Sequence, residues 1–200
     1  MNQLKNISHQ AYDIEKIRYV NFICKNPNLK KKEFIEDKSV AIHNDKLSHV
    51  GLVYGKNKMI YVTTPVMVCP FGVNQNNGFI MNLQFTNYEN DDKMNEFYLF
   101  MKALEELQKK HMGIDETTDE LYISQVKRDK HKKYDPNLVV KLPFRQNKFE
   151  LEAYNKDGEH TNILNIPKFC KVQCDIYIDN IWKFNDQYIC KWKLHKLTMK

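Results

Sequence analysis

A single capped helical period, with short alternating runs before and after it, is what most narrows the folds open to this chain. Met94, Phe97, Tyr98, Met101, Leu104 and Leu107 recur at three- and four-residue steps, Asp91 or Asp92 can cap the segment, and Gly113 follows it. This predicts one principal helix over residues 92–111. Elsewhere the period is two. Ile17–Cys24 alternates as an early strand, and Phe79, Met81, Leu83 and Phe85 alternate with Ile80, Asn82, Gln84 and Thr86 after an Asn74–Gly78 turn.

Further strands are expected at Leu138–Leu142, Phe149–Tyr154, Ile163–Ile166, Val172–Ile178 and Tyr188–Leu194, with turns at Lys156–Gly158 and at Asn185 and Asp186. The stretch from Lys30 to His49 reads as loop or as a short strand such as Ser39–Ile42, and Thr118–Arg128 as a second, shorter helix. Met59–Val73 is rich in β-branched and aromatic residues but carries Pro65 and Pro70. Proline cannot donate to a ladder, so an edge, bulge or bend is expected there. Strands on both sides of one helix, without regular βαβ alternation, predict an antiparallel sheet or small barrel of mainly β (α+β) class, for which the five-stranded OB-fold is the natural candidate. The 200 residues read as one domain, with a strand-and-loop extension over 1–50 and the OB-like core over 51–195.

Composition narrows the function. No run approaches the roughly 18 apolar residues that span a bilayer, and Met1–Gln10 has no apolar signal core, so no membrane partner and no secretion are expected. Five dispersed cysteines, Cys24, Cys69, Cys170, Cys174 and Cys190, predict free thiols in a reducing compartment. Cys170 and Cys174 lie in a strand-like run without a second pair, and the seven histidines have no ligand spacing, so neither metal nor cofactor is expected. With six glycines and no GxGxxG, GxxxxGK[ST] or GxSxG, nucleotide-dependent and hydrolase chemistry has no support, and a non-enzymatic binder is expected.

A net charge of +6 favours polyanions, and the densest positive stretch is Lys127, Arg128, Lys130, His131, Lys132 and Lys133. In the last strand Tyr188, Cys190, Trp192 and Leu194 share one face, and Lys191, Lys193 and His195 the other. Cations beside aromatics suit a single strand, whose bases stack on rings while its phosphates meet lysine or arginine. Trp192 is read as core, and Trp182 is left open between the core and the surface. Tyr61, Phe71 and Phe144 are candidate stacking rings, with Tyr54 and Tyr177 behind them, and Lys127, Arg128, Lys130, Lys132, Lys133, Lys191 and Lys193 are candidate phosphate contacts.

At Tyr61–Val73 (YVTTPVMVCPFGV), Asp135–Phe144 (DPNLVVKLPF) and Gln187–Lys193 (QYICKWK) the chain resembles the OB-fold single-stranded DNA-binding proteins of the nucleocytoplasmic large DNA viruses. The order is similar too: a TPxMxxPFG element, a helix, a basic stretch, a KLP(F/Y) element and a Trp-containing last strand, over roughly residues 50–195. The resemblance implies a barrel that coats single-stranded DNA, with RNA as a second possibility, during viral replication, recombination or repair in a cytoplasmic virus factory or the nucleus. Replication proteins or further copies of the chain are the implied protein partners. A structural or scaffolding virus protein that binds other proteins is the alternative.

Overall fold

The computed structural model describes residues 7–26, 28, 30–57, 59–76 and 78–200, so Met1–Asn6 and Asn77 of the expected turn lie outside the described residues. The first strands are β1 (Arg18–Cys24), β2 (Phe34–Asp37) and β3 (Leu47–Val53), followed by β4 (Ile60–Thr63), β5 (Met67–Cys69), β6 (Val73–Asn74) and β7 (Ile80–Gln84). The long helix α1 (Asp92–Met112) comes next, then β8 (Tyr122–Ile123), β9 (Val126–Lys127), β10 (Asn137–Lys141), the hairpin β11 (Phe144–Arg145) and β12 (Lys148–Phe149), and β13 (Glu152–Tyr154). The chain closes with β14 (Cys170–Ile178), β15 (Asn180–Phe184), β16 (Gln187–Ile189) and β17 (Trp192–Met199).

Five of these strands close on themselves in the order β5–β7–β10–β17–β14 and back to β5. Every neighbouring pair is antiparallel except β10 and β17, which run parallel. Numbered along the chain this is one-two-three-five-four, the closure of an OB-fold, so the protein is mainly β with an OB-like barrel and one principal helix. Period-two alternation supplies the interior. Met67, Met81, Leu83, Leu138, Val140, Val172, Ile176 and Leu194 all point inward and are fully buried or nearly so. Each contributes on the order of 1.5–3 kcal/mol of apolar burial.

The two prolines act as expected. Pro65 interrupts a run that pairs with β14 on both sides, as β4 and then as β5, and buried Thr64 bridges the break. The Thr64 amide donates to the Cys174 carbonyl at 2.8 Å, and the Cys174 amide donates to Thr64 Oγ1 at 3.1 Å.

A second sheet runs β2–β1–β3–β15–β16–β8. The N-terminal strands thus build onto a hairpin inserted between the last two barrel strands, and the boundary drawn at residue 50 falls inside β3. Helix α1 packs behind this sheet. Its N-terminus is capped by Asp91, whose Oδ1 accepts from the Met94 amide at 3.0 Å. Its C-terminus is set by Gly113 at φ +72°, where a Cβ would meet Ile42 at 3.0 Å and Val40 at 3.1 Å. Among the described residues no helix is long and apolar enough to cross a membrane.

Four local expectations are corrected. Thr118–Arg128 is a 3-10 turn at Asp119–Leu121 followed by β8 and β9. Its YISQV core is β-prone, and the buried Glu105 carboxylate draws the backbone away from helical pairing by accepting from the amides of Gln125 (2.7 Å) and Val126 (3.3 Å). Ile163–Asn165 is a 3-10 turn rather than a strand, capped by Asn162. Ala41–His43 is likewise 3-10 where loop or a short strand was expected. Finally, Tyr188–Leu194 is two strands: the chain leaves the six-stranded sheet after β16, crosses at Cys190 and Lys191, and enters the barrel as β17.

Candidate nucleic-acid interface

That crossing creates a groove of 660 Å³ between the barrel and the second sheet. The barrel contributes Lys141 at the end of β10, Tyr177 of β14, Lys193 of β17 and Phe144 of the β11–β12 hairpin. The opposite wall is Trp182 and Phe184 of β15, Ile189 of β16 and Ile123 of β8. In β15 the alternation buries Ile181 and turns Trp182 and Phe184 outward, leaving them 42% and 71% exposed. Trp182, which the sequence left open, is at the surface, whereas Trp192 is buried as expected. The reason is strand parity: Trp182 shares its face with His49, its cross-strand partner on β3, and that face is the groove side of the sheet. The Trp182 ring lies 4.9 Å from His49, which stacks on Phe22 at 4.8 Å, so the wall continues sideways as an aromatic row.

Five cations line the groove, Lys141, Arg145, Lys183, Lys191 and Lys193, against one lining acid, Glu150. Three of the five already have partners. Lys193 is held by both Asp179 oxygens at 2.8 Å, Lys183 lies 3.6 Å from Asp186, and Arg145 lies 3.8 Å from Glu150. Lys141 and Lys191 form no ion pair among the described residues. Burial lowers the Lys191 ammonium from its ordinary value, and the neighbouring Lys141 charge lowers it further. Two uncompensated, partly dehydrated cations repel each other, and an anion between them removes that cost. A smaller recess of 240 Å³ continues from Ile123, Lys141 and Lys191 to Lys127, extending the cationic track beyond the groove mouth.

The Lys191 shift has a sign that can be tested. A lysine that titrates lower in the folded chain than its unfolded 10.5 carries a folding cost that is complete below the folded value. The cost fades as pH rises to the unfolded value. Relative to Lys191→Met, the wild-type protein therefore gains stability on going up through the window just below pH 10.5, as read by denaturant titration at stepped pH. A difference between the two proteins that stays constant across that window would contradict the assignment.

The other residues singled out from sequence fall in different places. Tyr61 is corrected: it is 5% exposed, with its ring parallel to Tyr177 at 6.1 Å and edge-on to His195, so no base can reach its face. It backs the groove-lining Tyr177 instead. Phe71 is 58% exposed but belongs to the other end of the barrel. It follows β5, whose Cys69 pairs with Cys170 at the start of β14, while Tyr177 is near the end of that strand. At about 3.3 Å per residue the two ends are roughly 25 Å apart. Tyr54 packs edge-on against Tyr12. Arg128 donates to the hydroxyls of Tyr88 and Tyr98, whereas Lys130, Lys132 and Lys133 are exposed in the following loop, with Lys133 over the Tyr134 ring.

Trp182, Phe184 and Lys141 were not found by sequence reasoning. The signal for the first two was present: IWKF runs into the Asn185–Asp186 turn, and two aromatics of like parity beside a hairpin tip have little core to enter. Lys141 sits inside the KLPF element, where a lone lysine carries no signal of its own.

No protein-family model matches the chain, and no curated protein matches it. Among solved structures it is similar to the single-stranded DNA-binding protein from bacteriophage Enc34. Against the C-terminal truncation of that protein the TM-score is 0.46 at 14% identity, covering 86% of this chain and 97% of that one. Against the protein without that truncation the values are 0.47 and 13%, covering 82% and 87%. Against its complex with single-stranded DNA they are 0.47 and 13%, covering 82% and 93%.

Proposed function

We propose that the chain binds single-stranded DNA in this groove, without regard to sequence and without making or breaking bonds. The observation that carries the reading is the unneutralised Lys141–Lys191 pair facing the exposed rings of Trp182 and Phe184. Its position agrees with the way OB-folds use their surface. Lys141 ends the third barrel strand, and the β15–β16 hairpin is the connection between the fourth and fifth, the region through which such barrels bind oligonucleotides. Bases of a single strand stack on Trp182, Phe184 and Phe144 while phosphates meet Lys141, Lys191 and Lys127, and the loop lysines Lys130, Lys132 and Lys133 prolong the track. In a duplex the bases stack on each other, so the rings have nothing to receive.

The motif resemblance supports a setting in the replication, recombination or repair of a large DNA virus genome, in the virus factory or nucleus. Fluorescence anisotropy with labelled single- and double-stranded oligonucleotides tests the binding itself. Tighter binding of the single strand is expected. Log affinity falls with log salt at a slope between about −2 and −4, from roughly 0.7 per phosphate contacted by three to six lysines. Replacing both Lys141 and Lys191 with alanine flattens the slope by about 1.4. Equal affinity for duplex, or a slope the double variant leaves unchanged, would remove the groove from the reading and favour a protein-binding scaffold.

A further inference from the structure

Strand β2 is the outer edge of the six-stranded sheet, and among the described residues no strand covers it. Its pairing with β1 fixes which backbone groups remain free. The Lys25 amide donates to the Glu33 carbonyl at 3.0 Å, and the register places Ile23 opposite Ile35 and Asn21 opposite Asp37. Hydrogen-bonded pairs alternate along an antiparallel ladder, so residues 33, 35 and 37 turn their amides and carbonyls toward β1. Lys32, Phe34 and Glu36 turn theirs outward. Phe34 and Ile35 are also 42% and 40% exposed, an apolar centre on a free edge.

We propose that this edge pairs antiparallel with the same edge of a second copy, about a two-fold axis at Phe34. The charges select that occupant and that register. The segment reads Lys31, Lys32, Glu33, Phe34, Ile35, Glu36, Asp37. With the axis at Phe34, Lys32 stands opposite the partner's Glu36 and Lys31 opposite the partner's Asp37, and symmetry repeats both pairs. This register is also one that the outward-facing groups can bond. Moving the axis to Lys32 sets that lysine against itself, and moving it to Glu36 does the same with the acid. Moving it to Ile35 sets Glu33 against Asp37 and Lys32 against Lys38, and moving it to Glu33 sets that acid against itself. Edge lysines ordinarily keep sheets apart. Here they repel a copy in the shifted registers and attract it in one.

The contact is small, so the association is weak and concentration-dependent. It joins the two sheets on the face that carries the groove aromatics. Phe34 is edge-on to His49 at 5.1 Å, and His49 leads to Trp182, so the paired Phe34 rings link one copy's aromatic row to the other's. The interface itself does not depend on the DNA-binding reading and is measured without nucleic acid.

Sedimentation equilibrium over a concentration series into the high-micromolar range tests it on the full chain, with Lys32→Glu and Glu36→Lys as exposed substitutions and a melting curve of each as the folding control. Wild type is expected to show a monomer–dimer equilibrium that weakens with salt. Each variant alone loses dimer affinity by roughly 10- to 100-fold, because two facing attractions become two repulsions. An equimolar mixture of the two variants recovers it, since every facing pair is again opposite in charge. A monomeric wild type, a dimer that neither variant weakens, or variants that fail to rescue each other would overturn the proposal.

Discussion

Trp182→Ala is expected to lower affinity for a single-stranded oligonucleotide by roughly 1–3 kcal/mol, about 5- to 150-fold, while the salt slope stays where it was. Stacking on a ring releases few counterions, so the aromatic and phosphate contributions separate under titration with salt. The melting temperature is the control, because Trp182 leans on His49 but is 42% exposed and leaves no sealed cavity when shortened. Trp192 provides the contrast. It is 4% exposed inside the barrel, and its replacement acts through stability, at about 3–5 kcal/mol. A folded Trp182→Ala protein with wild-type affinity would show that bases do not meet this wall.

The largest effect on stability away from the barrel is expected at Glu105. This carboxylate is buried on the inner side of α1 and accepts from the amides of Gln125 and Val126, from the Ser124 hydroxyl at 2.7 Å, and from Lys102 Nζ at 3.2 Å. Alanine leaves two buried amides without acceptors and releases the β8–β9 connection, which costs about 3 kcal/mol. For a chain of this size that lowers the melting temperature by roughly 6–12 °C. Glu105→Gln keeps a carbonyl acceptor and loses about half as much. Because β8 carries Ile123 into the groove and β9 carries Lys127 to its mouth, DNA affinity is expected to fall with stability in the alanine variant. A Glu105→Ala protein that melts like wild type would contradict this role.

The contrast between these two residues shows what the sequence could carry. Local rules worked where local physics decides. The three-to-four-residue period with Asp91 and Gly113 at its ends marked α1 almost to the residue, and the Val172–Ile178 and Leu138–Leu142 alternations marked two barrel walls. Barrel closure was read as a class, because alternation reveals a buried face but not its neighbour. The failures are non-local. Tyr188–Leu194 alternates without a fault, and no residue in it signals that the chain changes sheets at Lys191. Tyr61 looked as available as Phe144 because a tyrosine in a strand gives no sign of which side is inside. Trp182 could not be placed in or out of the core from its own segment, whereas its parity and its pairing with His49 place it outside. Lys141 and Lys191 acquire meaning only as a pair, and they are 50 positions apart in the chain.

The groove wall made by β15 is held by β3, so strands separated by more than 120 positions must meet before the site exists. Pairings of such sequence separation form late, after the loop between them has been closed. On the proposed reading, the stacking wall is therefore absent from the unfolded chain and complete only when the hairpin of β15 and β16 has docked on β3.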